Sequence, residues 1–169
     1  MWWHRPLLAA LAVTAAISLA GCGIQPLYGT TAGGSRLAAA MAGVDVTPIP
    51  GRVGQRVRNE LIFENTGGSG QTGTTYKLDI VIKETLTNEL VKISGDAKSQ
   101  VYELDATFKL ISNDGRVVLE GKATSRAAYE RFETIFSNVR ARYDAENRAA
   151  RTVAESIKVR IAAYLSQAA

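Results

Sequence analysis

Three segments after residue 75 alternate apolar and polar residues, and this period of two constrains the fold more than any other feature. In the segments that begin at Tyr76, Tyr102 and Val117, apolar or small residues occupy every second position, and charged residues and threonine fill many of the others. Such alternation is typical of β-strands with one buried and one solvated face. Asn113-Asp114-Gly115 lies between the last two segments and is a strong turn signal. These two strands are therefore predicted to form a hairpin.

Two other segments have the apolar spacing of amphipathic helices. Val53, Val57 and Leu61 recur every four residues within Arg52–Asn65, which predicts a helix with one face in a core. The segment from about Ala141 to Leu165 repeats this pattern and predicts the final helix. Its apolar stripe consists of Ala150, Val153, Ile157, Ile161, Tyr164 and Leu165.

The order of these elements predicts one α+β domain over residues 44–169. Val44–Ile49 also alternates, and Pro48 within it favours a sheet edge or a strand end. The element order is then β-α-β-β-β-α. Because a strand–helix–strand unit favours a parallel crossover and hairpins are antiparallel, we expect a mixed four-stranded sheet with two helices packed on one face. The other face would be polar and open, which is ordinary for a small α+β domain and also leaves a surface for docking.

Residues 1–21 have the features of a lipoprotein signal peptide. His4 and Arg5 precede an apolar run, and Leu19-Ala20-Gly21-Cys22 comes after it as a lipobox. Cys22 is the only cysteine, so it has no intramolecular disulfide partner, and a thioether-linked diacylglycerol explains its presence. The apolar run is shorter than the roughly 20 residues of a transmembrane helix. A plain secretory signal with a coincidental cysteine is the remaining alternative.

The segment after the lipobox is predicted to connect the lipid to the fold. Residues 22–43 are rich in Gly, Ala and Thr and are predicted to form the lipidated N-terminus and a flexible tether, with a short Ala-rich turn at Leu37–Met41. In lipoproteins, an aspartate after the lipidated cysteine tends to retain the protein in the inner membrane. Gly23 stands at that position, so the outer membrane, on its periplasmic side, is the expected location.

The composition excludes several classes of function. His4 is the only histidine and would leave with the signal peptide, so Ser-His-Asp and Cys-His catalysis and a His- or Cys-based zinc site are unavailable to the mature chain. No Walker loop or Rossmann glycine pattern follows a strand. Without residues 1–21, the formal charge falls from +4 to +3 because Arg5 is lost, and this mild excess does not indicate nucleic acid. We therefore expect neither an enzyme nor a metal protein.

Two stretches resemble a known family. Gly23-Ile24-Gln25-Pro26-Leu27-Tyr28-Gly29, directly after Cys22, and Arg56-Val57-Arg58-Asn59-Glu60-Leu61 are similar to the LptE family of lipopolysaccharide-assembly lipoproteins, in its alphaproteobacterial branch. The resemblance covers the whole chain, including the order of its elements. It implies an outer-membrane lipoprotein with N-acyl and S-diacylglycerol lipid on Cys22, palmitate among the chains, and no other cofactor.

The resemblance also implies partners. LptE proteins form a 1:1 complex with the LptD β-barrel, sit in its lumen as a plug, help it assemble and assist the insertion of lipopolysaccharide into the outer leaflet. The interior of such a barrel is polar, and the predicted open face of the sheet is charged. Its charged strand residues are Lys77, Asp79, Lys83, Glu103, Asp105, Lys109, Glu120 and Lys122.

Four basic residues are candidate contacts for lipopolysaccharide. Lys92 and Lys98 flank the connection between two strands, and Arg140 and Arg142 lie just before the predicted final helix. In the family, basic positions in these two regions are implicated in lipopolysaccharide contact, and charge-assisted hydrogen bonds to phosphate are the chemistry they offer. The alternative for each is an ordinary solvated side chain.

Other interpretations stay open. An accessory lipoprotein of a different envelope lipid-transport system would share the anchor and the fold, and a hydrolase built on carboxylates would need no histidine. Four aromatic and aliphatic residues, Tyr129, Phe132, Ile135 and Phe136, precede the final helix. We expect them to lie in a loop folded over the end of the core, with contact to the barrel wall or to an acyl chain as the alternative.

Overall fold

The computed structural model describes residues 32–67, 73–91 and 97–168, so the predicted signal peptide, Cys22 and Lys92 lie outside the described residues. The elements in chain order are α1 (Ala32–Ala42), β1 (Val44–Val46), α2 (Gly51–Thr66), β2 (Tyr76–Val91), β3 (Ala97–Ser112), β4 (Val117–Glu130) and α3 (Ile135–Ala168). Among the described residues, no helix combines the length and the apolar character that crossing a bilayer requires.

The strands form a mixed sheet, as predicted. Its order is β1-β2-β3-β4, with β1 parallel to β2 and the other neighbours antiparallel. β1 is short because the chain leaves the sheet after Thr47, whose N–H still donates to the carbonyl of Leu78 at 3.1 Å. Pro48 comes next and has no N–H with which to continue the ladder. The predicted α+β class and single domain are confirmed.

The core lies between one face of the sheet and the helices. Leu78, Leu104 and Phe108 project from the sheet into this core, and Val57 of α2 and Ile157 of α3 meet them there, all fully buried. The apolar stripes predicted for both helices are therefore confirmed as core faces. The alternate side chains of the strands point to the opposite face, which no described helix covers.

The structure corrects the prediction for part of the tether. Residues Ala32–Ala42 form a helix where a flexible segment with a short turn was expected. Leu37 and Met41 are only 3% and 2% exposed, because α1 packs against α2, α3 and β1. The high content of Gly and Ala made the i, i+4 pair of Leu37 and Met41 easy to overlook. Burial of these two side chains gives the helix its core face.

The strands are also longer than the alternation predicted. β2 continues to Val91 and β4 to Glu130, whereas alternation ends near Lys83 and Thr124. The residues from Lys83 to Glu89 are all exposed, so burial imposes no apolar pattern on them. They remain in the ladder because β2 and β3 stay paired as far as Val91 and Ala97, through a bulge after Asn88.

The predicted turn between β3 and β4 is confirmed. Gly115 adopts a φ of 82°, and its N–H donates to the carbonyl of Ser112 at 2.8 Å. A glycine suits this position because a side chain would strain the left-handed backbone.

Candidate site: a cleft between two helices and the sheet

A cleft opens where α2 begins, beside the N-terminal half of α3 and the outer half of β2. Its volume is about 380 Å³. The residues that line it are Arg52, Val53, Glu84, Val139, Arg142, Tyr143 and Glu146. The cleft arises because α2 starts at Gly51, after the chain has turned at Pro50, while β2 runs on well past the end of β1.

Glu146 is the buried acid at the base of this cleft. Its side chain is only 4% exposed, and its two oxygens are used separately. Oε1 accepts a 2.7 Å hydrogen bond from Nε of Arg142, and Oε2 pairs with Nη2 of Arg52. A buried carboxylate needs such partners because taking it out of water is costly. Glu146 therefore joins α3 to α2 through Arg52, and it holds Arg142, four residues earlier on its own helix, beside that contact.

Both arginines remain accessible from the cleft. The side chains of Arg52 and Arg142 are 43% and 48% exposed. Arg52 is further fixed by a 3.0 Å hydrogen bond to Oδ1 of Asn147 and by the ring of Tyr143, whose centroid lies 4.6 Å from its guanidinium carbon. The hydrogen bond to Glu146 raises the pKa of Arg142 above its ordinary value, so this cation is present at every physiological pH.

The opposite wall of the cleft carries a second acid. Glu84 of β2 is exposed, and its Oε2 accepts a 2.8 Å hydrogen bond from the hydroxyl of Tyr102, which is fully buried. Burial, followed by this bond to Glu84, raises the pKa of Tyr102 far above its usual range. The phenol therefore stays protonated and ties Glu84 to the sheet.

The predicted basic residues do not form one site. Arg140 and Arg142 lie within α3, which begins at Ile135, and not ahead of it as predicted. The two are about 200° apart around the helix, and only Arg142 lines the cleft. Lys98 lies at the start of β3, next to the end of β2, roughly 20 Å along the strand from Glu84 at 3.3 Å per residue.

Three of the four apolar residues expected in a loop over the core are exposed, so that prediction is wrong for them, and two of the three, Ile135 and Phe136, begin α3. Tyr129 is in β4 and is buried, whereas the exposed fractions of Phe132, Ile135 and Phe136 are 52%, 83% and 75%. Asn138 fixes this segment, since its side chain accepts from the N–H of Phe132 at 2.6 Å and donates to its carbonyl at 2.8 Å. The alternative, contact with the barrel wall or an acyl chain, stays a prediction.

The open face of the sheet forms a second polar surface. Its acids and bases alternate across strands: Lys122 pairs with Asp105 at 3.3 Å, and Arg126 pairs with Glu103 at 3.3 Å. Thr124 donates a 2.7 Å hydrogen bond to Asp105. Exposed pairs of this kind add little to stability, and they leave this face charged with acids and bases in balance.

Sequence reasoning missed the charged members of the cleft other than Arg142, namely Arg52, Glu84 and Glu146. A local signal existed for one of them, because Arg142 and Glu146 are four residues apart on a helix and such pairs interact. No local signal joins Arg52 to Glu146, which are separated by 94 residues in sequence. Within the described part of the chain, no three His, Cys, Asp or Glu residues are grouped as metal ligands. The cleft therefore offers the N–H donors of two arginines to an anion, and Glu146 holds these arginines in place.

These features define a class of protein. It is a small α+β domain whose sheet has an open face with balanced charges and whose cleft is lined by two arginines. The family model for LptE, described as Lipopolysaccharide-assembly, matches residues 41–161. The chain therefore belongs to the LptE family of lipopolysaccharide-assembly lipoproteins, and the predicted resemblance is confirmed at the level of the family.

Solved structures agree with this fold. A lipoprotein from Caulobacter crescentus CB15 is similar with a TM-score of 0.66 and 17% identity, over 78% of this chain and 97% of that one. A minor lipoprotein from Acinetobacter baumannii gives a TM-score of 0.52 and 12% identity, over 73% and 94% of the two chains. Lipoprotein B from Nitrosomonas europaea gives 0.52 and 11%, over 73% and 86%. A search of curated proteins gives no match.

Proposed function

We propose that this chain is the plug of an LptD β-barrel, anchored at the outer membrane through lipid on Cys22, and that it assists the insertion of lipopolysaccharide. The open face of the sheet is the observation that supports the plug role best. It carries paired acids and bases on three strands, and no described helix covers it. A plug must stay hydrated against a polar barrel wall, and a balanced charged face meets that requirement.

The cleft supports the second half of the proposal. Lipopolysaccharide carries phosphate, and Arg142 presents a half-exposed guanidinium whose orientation is fixed by Glu146. Arginine binds phosphate through paired N–H donors. Arg140, on a different face of α3, and Lys92 and Lys98 stay candidates for a separate contact.

Affinity capture of the lipidated, full-length chain from detergent-solubilised membranes tests the plug role. We expect an outer-membrane barrel to be retained in equal amount with the wild-type chain. Lys109→Glu reverses one charge on the open face and should reduce the yield of barrel. Glu155→Lys reverses one charge at an exposed position of α3 and should not. Capture of a lipoprotein free of any barrel, from cells with normal lipopolysaccharide export, would overturn the proposal.

Depletion separates the proposal from its alternative. Loss of an LptD plug should leave lipopolysaccharide stranded inside the cell envelope, where it is measured by surface labelling of intact cells against the total content. Loss of an accessory lipoprotein of a different transport system would leave surface lipopolysaccharide unchanged, which would count against the proposed function.

A further inference from the structure

We infer that Arg52 and Arg142 bind one phosphate group together, and that Glu146 is the residue that positions them. This inference rests on the proposed function, since it specifies how the cleft would hold phosphorylated lipid. Among the residues that line the cleft, only Arg142 was predicted from the sequence to contact lipopolysaccharide. The inference adds Arg52 of α2 and Glu146 of α3 to this site.

The geometry shows that Glu146 orients both guanidinium groups. Each of its oxygens takes one arginine, Oε1 from Arg142 at 2.7 Å and Oε2 from Arg52. Because the carboxylate is almost entirely buried, it cannot swing out to another partner, and both arginines are drawn to the same wall of the cleft. The ring of Tyr143 restricts Arg52 from a further side.

Enough donors remain for a ligand. A guanidinium has five N–H donors. Arg142 uses its Nε–H on Glu146, and among the described residues no contact uses its two Nη groups. Arg52 gives one N–H to Glu146 and one to Asn147. A phosphate has several strong acceptor oxygens, so one phosphate can accept hydrogen bonds from both guanidinium groups. A single carboxylate oxygen of Glu146 accepts from only one of them.

The positions of the charges, and not their sum, favour an anion on this wall of the cleft. The lining is formally neutral, because Arg52 and Arg142 are matched by Glu84 and Glu146. The negative charge of Glu146 is buried at the base, and the two positive groups are half exposed above it. Glu84 lies across the cleft, where Oε2 accepts the hydrogen bond from Tyr102 at 2.8 Å.

Binding of lipid A in detergent micelles to the full chain tests the inference, with dephosphorylated lipid A and inorganic pyrophosphate as further probes. We expect Arg52→Ala and Arg142→Ala each to weaken binding of lipid A by about tenfold, the effect of losing one charge-assisted contact. Arg148→Ala, which removes a half-exposed arginine of α3 outside the cleft lining, is the matched control and should change it little. Removal of the phosphates from the lipid should abolish the difference between the wild-type chain and the variants.

Glu146→Gln gives the sharper result, because the two possible roles of Glu146 predict opposite signs. If Glu146 positions the arginines, the variant binds lipid A more weakly although the cleft has become more positive. If Glu146 only competes with the ligand, the variant binds more tightly, and the inference is overturned. Glu146→Asp should restore part of the affinity, and Glu155→Gln, which removes an exposed acid from the same helix, should leave it unchanged.

Further outcomes separate this inference from the proposed function. Loss of binding in Arg142→Ala with full binding in Arg52→Ala would overturn the shared site and leave the proposed function standing. Absence of lipid A binding in the wild-type chain would overturn this inference and the lipopolysaccharide contact in the proposed function, and would leave the plug role to the affinity capture. If pyrophosphate competes with lipid A, the phosphate group itself is recognised. If pyrophosphate does not compete while phosphorylated lipid still binds better than dephosphorylated lipid, the site recognises phosphate only when a lipid presents it. Should Glu146→Gln fail to fold by thermal unfolding, the two arginine variants still decide the shared site.

Discussion

The hydroxyl of the fully buried Tyr102 donates a 2.8 Å hydrogen bond to Oε2 of Glu84, a residue on the exposed half of β2. This bond joins the packed region of the sheet to the region that lies beyond the helices. It also forms one wall of the cleft, since Glu84 lines it. The phenol is a permanent donor because burial and the adjacent carboxylate raise its pKa far above the usual range.

Tyr102→Phe should remove this bond while keeping the ring in the core. We expect the free energy of unfolding to fall by about 0.5–1.5 kcal/mol, the usual net contribution of one hydrogen bond. Denaturant unfolding of the two proteins measures it. Tyr164→Phe is the control, because Tyr164 is only partly buried at the edge of the core. An equal loss in the control would show that the bond to Glu84 contributes nothing.

Gly121→Ala should destabilise the domain through overpacking. A Cβ at this position would lie 2.9 Å from Cζ of Phe108 and 3.2 Å from Nη1 of Arg160. Because the ring of Phe108 is fully buried, we expect a loss of about 1–3 kcal/mol in the free energy of unfolding. Phe108→Leu combined with Gly121→Ala should lose less than the sum of the two single losses. Strict additivity in this double-mutant cycle would contradict the contact.

The carboxylate of Asp105 should make the stability of the sheet depend on pH in the acid range. The hydrogen bond from Thr124 lowers the pKa of Asp105, with Lys122 as a further cause. Because the folded-state pKa is depressed, the stabilisation is complete above the ordinary value of about 4. It is lost as the pH falls through the folded-state pKa.

Thr124→Val removes that hydrogen bond and should move the pKa of Asp105 back towards its ordinary value, as followed by NMR titration of the carboxyl carbon. The stability difference from wild type should be largest above about pH 4 and shrink below it. Thr107→Val, on the same face of the sheet, is the control, because Thr107 bonds no carboxylate in the part of the chain described. A shift of equal size in this control would refute the assignment.

Leu37→Ala should show that α1 belongs to the folded domain. Leu37 is 3% exposed in the core, so truncation should cost about 2–5 kcal/mol of unfolding free energy. Leu37→Met nearly conserves the volume and should cost less than about 1.5 kcal/mol. If truncation changes the unfolding midpoint no more than the methionine variant does, α1 does not contribute to the stability of the domain.

Much of the predictable part of this fold is the part in which burial imposes a period on large apolar residues. Alternation found residues 76–83 of β2, most of β3 and residues 117–124 of β4, and the spacing of Val53, Val57 and Leu61 found α2 to within a residue at each end. It missed the rest of β4, although burial alternates there as far as Glu130, because the buried positions include the small residues Ser125 and Ala127. The outer half of β2 has both faces in solvent, so nothing in its residue types distinguishes it from a loop. α3 was predicted to start about six residues late for the same reason, because none of its residues before Ala145 is buried.

The candidate site was less predictable than the fold. Arg142 could be chosen by charge and by similarity to a family, but its value depends on Glu146 and Arg52, which the tertiary structure brings to it. Pairing over 94 residues leaves no mark on local spacing. Conversely, Arg140 has the same residue type and nearly the same position as Arg142 but does not line the cleft.

β2 extends beyond the helix layer that covers the rest of the sheet, and this has a consequence for how the domain opens. Near its start, residues such as Leu78 place their side chains in the core against the helices. From Lys83 to Glu89 its residues are exposed and are joined to β3 by the backbone ladder, whereas β3 and β4 still place Tyr102 and Tyr129 in the core. Amide hydrogen exchange should therefore be graded along a single strand, slow near Leu78 and faster beyond Glu84. The cleft lies at this boundary because Glu84 lines it together with residues of α2 and α3. A ligand in the cleft would therefore contact both the slowly exchanging core and the faster exchanging part of β2.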